Sequence, residues 1–256
     1  MSLTTLPLWH SLAAELGCAG LLIPESHGGA GATYREAAVV AEETGRAVAP
    51  VPYLGSAVVA TAALLGSGDE LLPGLAEGRV TAALAVEFAR MPPASGPVAR
   101  RGPRLATGCG SAPRSRATPP GQARLTGTVT GVADALLADV LLVPADGVPF
   151  GLYAVDAGAP GVSRAAVVSL DATRPLCDLA FDSAPARPVA TGEAAAQAVA
   201  SALAAGAAML APRAARHRRA LPDMTVGLRQ GTAAVRPAGR VLPGAQAPAR
   251  RRVDAA

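Results

Sequence analysis

The chain has 256 residues, half of them apolar and only 3% aromatic, with a formal net charge of +4. That length holds one large domain or two modest ones, and its core must be built from Ala, Val and Leu. The three cysteines, Cys18, Cys109 and Cys177, are scattered, which excludes a CxxC metal or redox motif and reads as reduced thiols of a cytosolic protein. No basic segment followed by an apolar run opens the sequence, so no secretory signal is expected.

Leu6–Leu16 places Trp9, Leu12, Ala13 and Leu16 at helical spacing, with Gly17 as the stop. A glycine-rich loop, GLLIPESHGGAGAT, follows. Thr33 and Glu36 form a capping-box pattern that opens a helix from Tyr34 to about Val48, ended by Pro50 and Pro52. Ser56–Leu65 reads as another helix, and Asp69–Ala76 as a short one carrying Pro73. The pattern then changes. TAALAVEF (Thr81–Phe88), LTGTVTGV, ADVLLVPA, FGLYAVDA, GVSRAAVVS and LCDLAFDS read as strands between Gly, Pro and Asp turns. From Gly192 to about Leu210 the chain is helical again. Ala194–Ala211 is long and uncharged, but it is mostly small residues and reads as a packed helix rather than a membrane span.

Charge is unevenly placed. Residues 1–89 carry three arginines against nine acids, and 125–211 carry three against eight. Residues 90–124 carry seven arginines and no acid, and 212–256 carry ten against two. The two basic blocks are Pro-rich, lack aromatics for base stacking, and fit neither the helical nor the strand pattern. Gly28-Gly29-Ala30-Gly31 invites a phosphate-loop reading, but the third glycine of a dinucleotide fingerprint and the GK[ST] of a P-loop are absent. A turn that lets two chain segments approach closely is the better reading. Ser26-His27 makes no triad. His10, His27 and His217 lack metal-ligand spacing, so no metal is expected. Asp134, Asp139, Asp156, Asp171, Asp178 and Asp182 fall at strand ends or turns, where carboxylates are usually solvated. The residues alone assign no catalytic constellation.

The order of these blocks resembles a known family. The segment from LWHSLAAELG through IPESHGGAGATYREAAVVAEETGRAVAPVPYLGSAV resembles the N-terminal helical region of acyl-CoA dehydrogenases, with their "GL.IPE..GG.G" loop and "EE.GR" helix. LTGTVTGVADALLADVLLV, LYAVDAGAPGV and LCDLAFDSAPA are similar to the family's middle domain, and PDMTV to the start of its C-terminal helices. The resemblance implies an α+β fold. A helical N-terminal region (1–80) precedes an antiparallel β-barrel-like middle domain (81–188, with 90–124 anomalous). The first helix (189–211) of a C-terminal helical bundle and a tail (212–256) follow. It implies FAD as cofactor and α,β-dehydrogenation of an acyl-CoA thioester. It also implies electron transfer to an electron-transferring flavoprotein, and a homo- or hetero-oligomer. The family's "TEP.AGSD" flavin loop matches at Glu87, Phe88 and Ala89. Its flavin-facing "W-[IV]-[ST]-N" matches Gly131, Val132, Ala133 and Asp134, without the Trp and the hydroxyl. Glu87, Val132, Ala133 and Asp134 are therefore the implied cofactor-binding positions. The family's catalytic glutamate belongs to a C-terminal region that this sequence does not carry in recognisable form. Two further readings stand beside the dehydrogenase: a non-catalytic subunit pairing with an active dehydrogenase, and a basic binder of nucleic acid or acidic surfaces through the arginine blocks.

Neither lysine nor asparagine occurs among the 256 residues, which points to a very GC-rich gene. A permitted coding string for Gly227–Ala249, read one base later, gives AYVKARQQFGRPVGSFQALKHR. This resembles the family's segment after "DMTV", including the "QFG.P" motif that contacts the FAD diphosphate across the dimer. The basic tail is thus expected to be out-of-frame coding, with no selected amphipathic pattern and no packed structure. Sequencing the locus tests this: codons 227–249 should read QFGRP in the shifted frame, and any other reading ends the idea.

Overall fold

The computed structural model describes residues 5–87, 113–117, 123–147, 149–171 and 173–234. α1 (Thr5–His10) runs into a π-helical turn, Ser11–Glu15, and Gly17 closes it in the left-handed region at φ 66°. α2 (Tyr34–Arg46) opens on the capping box. Thr33 Oγ1 accepts from the Arg35 amide at 3.2 Å, and the Glu36 carboxylate accepts from the Thr33 amide at 2.8 Å. Its buried face carries Ala37, Ala41, Thr44 and Gly45 at helical spacing. The apolar run after Pro52 winds wider than an α-helix over Tyr53–Ala60 and tightens into α3 (Thr61–Leu65). The buried Tyr53 hydroxyl donates to the Ala37 carbonyl at 3.1 Å and ties this helix to α2. α4 (Leu72–Ala76) takes Pro73 in its first turn, where a missing amide forfeits no helical bond.

Seven strands follow: β1 (Ala82–Leu84), β2 (Arg114–Ala117), β3 (Ala123–Ala133), β4 (Val140–Ala145), β5 (Gly151–Asp156), β6 (Val162–Val167) and β7 (Leu176–Thr191). They are joined in the order β1-β4-β5-β7-β3-β2, with β6 also paired to β7. One expectation needs correction. The sheet is not wholly antiparallel, because β1 pairs with β4 in parallel. The chain between them is long enough for the crossover that a parallel pair requires. The anomalous block 90–124 is also not uniformly outside the fold. Arg114–Ala117 forms the edge strand β2, and Ala123 and Arg124 begin β3. Edge pairing needs backbone groups alone and tolerates outward arginines, so composition gives no sign of it. The rest of that block lies outside the described residues.

The 16-residue β7 spans two faces of the molecule. Its first part pairs with β3 and β6, and its last part, from Arg187, pairs with β5. Side chains alternate along the central strands. Leu142, Leu152 and Ala154 join the helices in one core, while Leu141, Val143, Tyr153 and Val155 join Leu125, Val132, Leu179 and Phe181 in the other. This is why β4 reads as an unbroken apolar run.

α5 (Gly192–Ala234) continues well past Ala211, where the sequence placed its end and the start of an unpacked tail. Residues 212–234 are rich in Ala and Arg, which favour helical backbone whatever their origin, although Pro212, Pro222, Gly227 and Gly231 do not. By length and composition Gly192–Ala214 is apolar enough to cross a membrane, with a mean hydropathy of 1.6. Here Ala195, Val199, Ala202, Ala205 and Met209 lie on the helical core. Gly45 of α2 is what lets α5 come close: a Cβ there would sit 2.4 Å from the Arg213 carbonyl oxygen. The chain divides into residues 1–219, which hold all of these strands and cores, and residues 220–256, whose described part is the end of the helix. Cys18 and Cys177 are free thiols.

A buried ion pair joins the helical part to β7. Arg187 donates to both oxygens of Asp69 at 2.8 Å and also meets Glu70 at 3.0 Å. Burial alone would raise the Asp69 carboxyl. The Arg187 guanidinium and the Leu71 amide outweigh it and hold the carboxyl below its ordinary range. A lowered folded value contributes stability above the unfolded value and loses it as pH falls through the folded one. Arg187→Gln should therefore cost about 1–3 kcal/mol at neutral pH, because Asp69 stays buried without its partner. Urea unfolding of both proteins should show this difference fade in acid below the ordinary carboxylate range.

Candidate functional site

The glycine loop is spent on its own structure. The Gly28, Gly29, Ala30 and Gly31 amides donate to the carbonyls of Glu25, Pro24, Gly20 and Ile23 at 2.8–3.1 Å. A Cβ on Gly29 would fall 2.0 Å from the Ile23 carbonyl oxygen. The loop is a close-approach turn, and its amides are not turned to a phosphate.

The site-like feature is a crevice where the end of α2, the turn after β3, the loop before β7 and α5 meet. Its main cavity is about 310 Å³, lined by Gly45, Ala133, Asp171, Arg174 and Arg213 among others. Ala133, Arg174 and Leu210 also line a narrower slot of about 70 Å³, walled by Leu54, Val59, Leu84, Leu203 and Asp134. The two spaces adjoin at these three shared residues.

The turn after β3 is set by a bulge. Pairing with β7 shifts register between Val129 and Val132, and the Asp178 carboxylate accepts from the Gly131 amide at 2.8 Å. Asp178 is thus a fastening of the bulge rather than a merely solvated carboxylate. The bulge turns Val132 into the sheet core, where it is fully buried. It turns Ala133 onto the crevice and sends Asp134 into left-handed backbone at φ 61°. The Asp134 amide reaches the Pro175 carbonyl at 3.2 Å.

Asp134 is an unusual group. Only 3% of it is exposed, yet its nearest ion-pair contact, to Arg174, is 3.7 Å away, beyond hydrogen-bond length. Oδ2 has no hydrogen-bond partner, while the Gly55 amide donates to the carboxyl. A Cβ on Gly55 would lie 2.4 Å from Oδ2, so only glycine admits this side chain. Burial raises the Asp134 carboxyl above its ordinary value, and Arg174 and Arg213 offset only part of that.

Of the four positions implied by resemblance, the structure brings Ala133 and Asp134 to one crevice. Val132 faces the core. Glu87 is half-buried just after Val86, which lines the slot. Phe88 and Ala89 lie outside the described residues. Sequence reasoning missed Arg174, Arg213 and Gly55. Arg174 stands in a plain DATRP turn, and only the Ala133–Leu176 pairing brings it beside Asp134. Arg213 fell inside a block read as unpacked. Among the described residues no three His, Cys, Asp or Glu side chains are placed to hold a metal.

A flavin of the implied kind would meet an aromatic ring and a hydroxyl at Gly131 and Ala133. A Cβ on Gly131 would meet nothing within 4 Å, and Ala133 offers a methyl group. Val132 is sealed in the core and Asp134 is folded onto Gly55. These residues do not fit a flavin ring.

Comparison with known proteins places the chain. Residues 4–79 match the family described as acyl-CoA dehydrogenase, N-terminal domain. The chain is 46% identical over 71 residues to the acyl-CoA dehydrogenase IpdE2 of Mycolicibacterium smegmatis, covering 28% of this chain and 23% of that protein. Among solved structures, a variant of the Tcur3481-Tcur3483 steroid ACAD superposes with a TM-score of 0.63 at 32% identity, covering 81% of this chain and 52% of that one. The ChsE4-ChsE5 complex from Mycobacterium tuberculosis gives 0.59 at 26% identity, covering 77% and 52%. The match thus spans about a quarter of the curated relative and about half of each solved chain. Helices, a two-faced sheet and a helix returning over both define the α+β class of these proteins. These matches show an acyl-CoA dehydrogenase N-terminal domain over residues 4–79, and a fold similar to that of solved acyl-CoA dehydrogenases over most of the chain.

The raised Asp134 carboxyl makes a testable demand. Below the ordinary carboxylate range both folded and unfolded forms are neutral. As pH rises, the unfolded chain ionises first and stability is lost until the folded carboxyl ionises too. Asp134→Asn keeps the shape, tolerates the left-handed backbone and removes that loss. Thermal melts should coincide in acid and separate by a few degrees in favour of the variant at neutral pH.

Proposed function

We propose that this chain is a non-catalytic subunit of a heteromeric acyl-CoA dehydrogenase. The observation that carries the reading is the composition of the crevice wall. Of its two carboxylates, Asp134 is almost sealed from solvent against Gly55, and Asp171 is held by the Thr173 amide and hydroxyl at 2.9 and 2.6 Å. An acid sealed from solvent and an acid tied to its own turn are poorly suited to take a proton from a ligand carbon, and at Gly131 and Ala133 the wall offers neither a ring nor a hydroxyl to seat a flavin. In this reading the FAD, the catalytic base and the contact with an electron-transferring flavoprotein belong to the partner chain.

Two further observations support it. The edge strand β6 is exposed along most of its length, and Val168 and Leu170 just beyond it stand fully in solvent. Apolar residues in that position fit a surface that another chain covers. The similar ChsE4-ChsE5 structure is a complex of two components.

Purified alone, the protein should be colourless and inactive on acyl-CoA thioesters with an artificial electron acceptor. Co-expressed with a flavin-binding dehydrogenase chain of the ChsE4-ChsE5 kind, it should elute in a stable mixed complex. A yellow, active protein obtained from this chain alone overturns the reading.

A further inference from the structure

Two guanidinium groups share the wall of the main cavity, and among the described residues neither has a close acidic partner. Arg174 is largely buried, with 18% of its side chain exposed, and its ion pair to Asp134 spans 3.7 Å. Arg213 donates only long bonds, to Thr44 Oγ1 at 3.4 Å and to the Ala49 carbonyl at 3.5 Å. Among the described residues it makes no ion pair. Burial, with the like charge of Arg174 second, pushes the Arg213 guanidinium down to about 10. The acids nearby do not balance this charge well. Asp134 is held toward its neutral form by burial. Asp171 is exposed at the rim and already hydrogen-bonded to Thr173. The crevice therefore holds positive charge, partly out of water, with donors that lack good acceptors.

The shape adds to the charge. A guanidinium presents planar paired donors that match an oxyanion. Arg174 also walls the neighbouring slot of about 70 Å³ between Leu54, Val59, Leu84 and Leu203, which has room for only a few apolar atoms. Asp134 stands at that slot and adds no positive charge to it, so the slot suits the apolar end of a ligand. A ligand is thus oriented, with its negative end toward the two arginines and its apolar end toward the slot.

We propose that Arg174 and Arg213 form a binding site for a small carboxylate bearing a short apolar tail. The oxyanion lies between the two guanidiniums, and the tail enters the slot beside Ala133. The site is complete within this chain and does not depend on the subunit reading.

Calorimetric titration of the whole protein with pentanoate tests it, with pentanol and inorganic phosphate as comparisons. Pentanoate should bind saturably, while pentanol, lacking the charge, and phosphate, lacking the tail, should bind markedly less. Arg174→Gln should weaken pentanoate about tenfold or more, the loss expected for one charged hydrogen-bonded contact. Circular dichroism checks that this variant is folded. If it is not, Arg174→Lys keeps the charge without the paired donors and should still lose part of the affinity. Absence of saturable pentanoate binding, an equal response to pentanol or phosphate, or unchanged affinity in the Arg174 variants would overturn the proposal.

Discussion

The double pairing of β7 is the constraint on which the rest of the structure depends. One strand leaves the β3 and β6 side and ends beside β5, so two apolar faces are built from a single continuous backbone. Each face closes a separate core. Arg187 sits where β7 changes partners, and its bidentate bond to Asp69 fixes the helical region to that point. Without the change of partner the helices would have no second surface to cover, and α5 would have nowhere to return.

The crevice is a by-product of that arrangement. It forms where the β3 bulge, the loop entering β7 and α5 converge, and glycines hold it close. Gly45 brings α5 onto α2, and Gly55 admits the Asp134 side chain. The result is a half-buried place with two arginines, one exposed acid and one buried acid. In a low-dielectric setting such groups matter more than surface charges do, because water no longer screens them. Where the resemblance implies a ring and a hydroxyl, Gly131 and Ala133 stand instead, so a similar scaffold carries a wall of different chemistry. Fold and function separate here: the scaffold is legible from relatives, while the activity depends on particular side chains.

Local signals in the sequence were dependable where chemistry is local. The Thr33–Glu36 capping box, the Gly17 stop, Pro73 in a first turn and the alternating strands all appear as the residue pattern says. The family, too, was readable, from the IPESHGGAG loop and the EETGR helix. What failed were judgements from composition. Arg114–Ala117 looked foreign to a sheet and is an edge strand, and the arginine-rich stretch after Ala211 carries the helix onward to Ala234.

Most elements, their order and the resemblance to acyl-CoA dehydrogenases are legible in the residues, because capping, turns and apolar periodicity act over a few positions. Tertiary structure alone decided which charges meet. Arg174 lies beside Asp134 only because Ala133 pairs with Leu176, and Arg213 joins them only because Gly45 lets two helices touch. Register and close approach are properties of packed backbone, and no stretch of residues states them in advance.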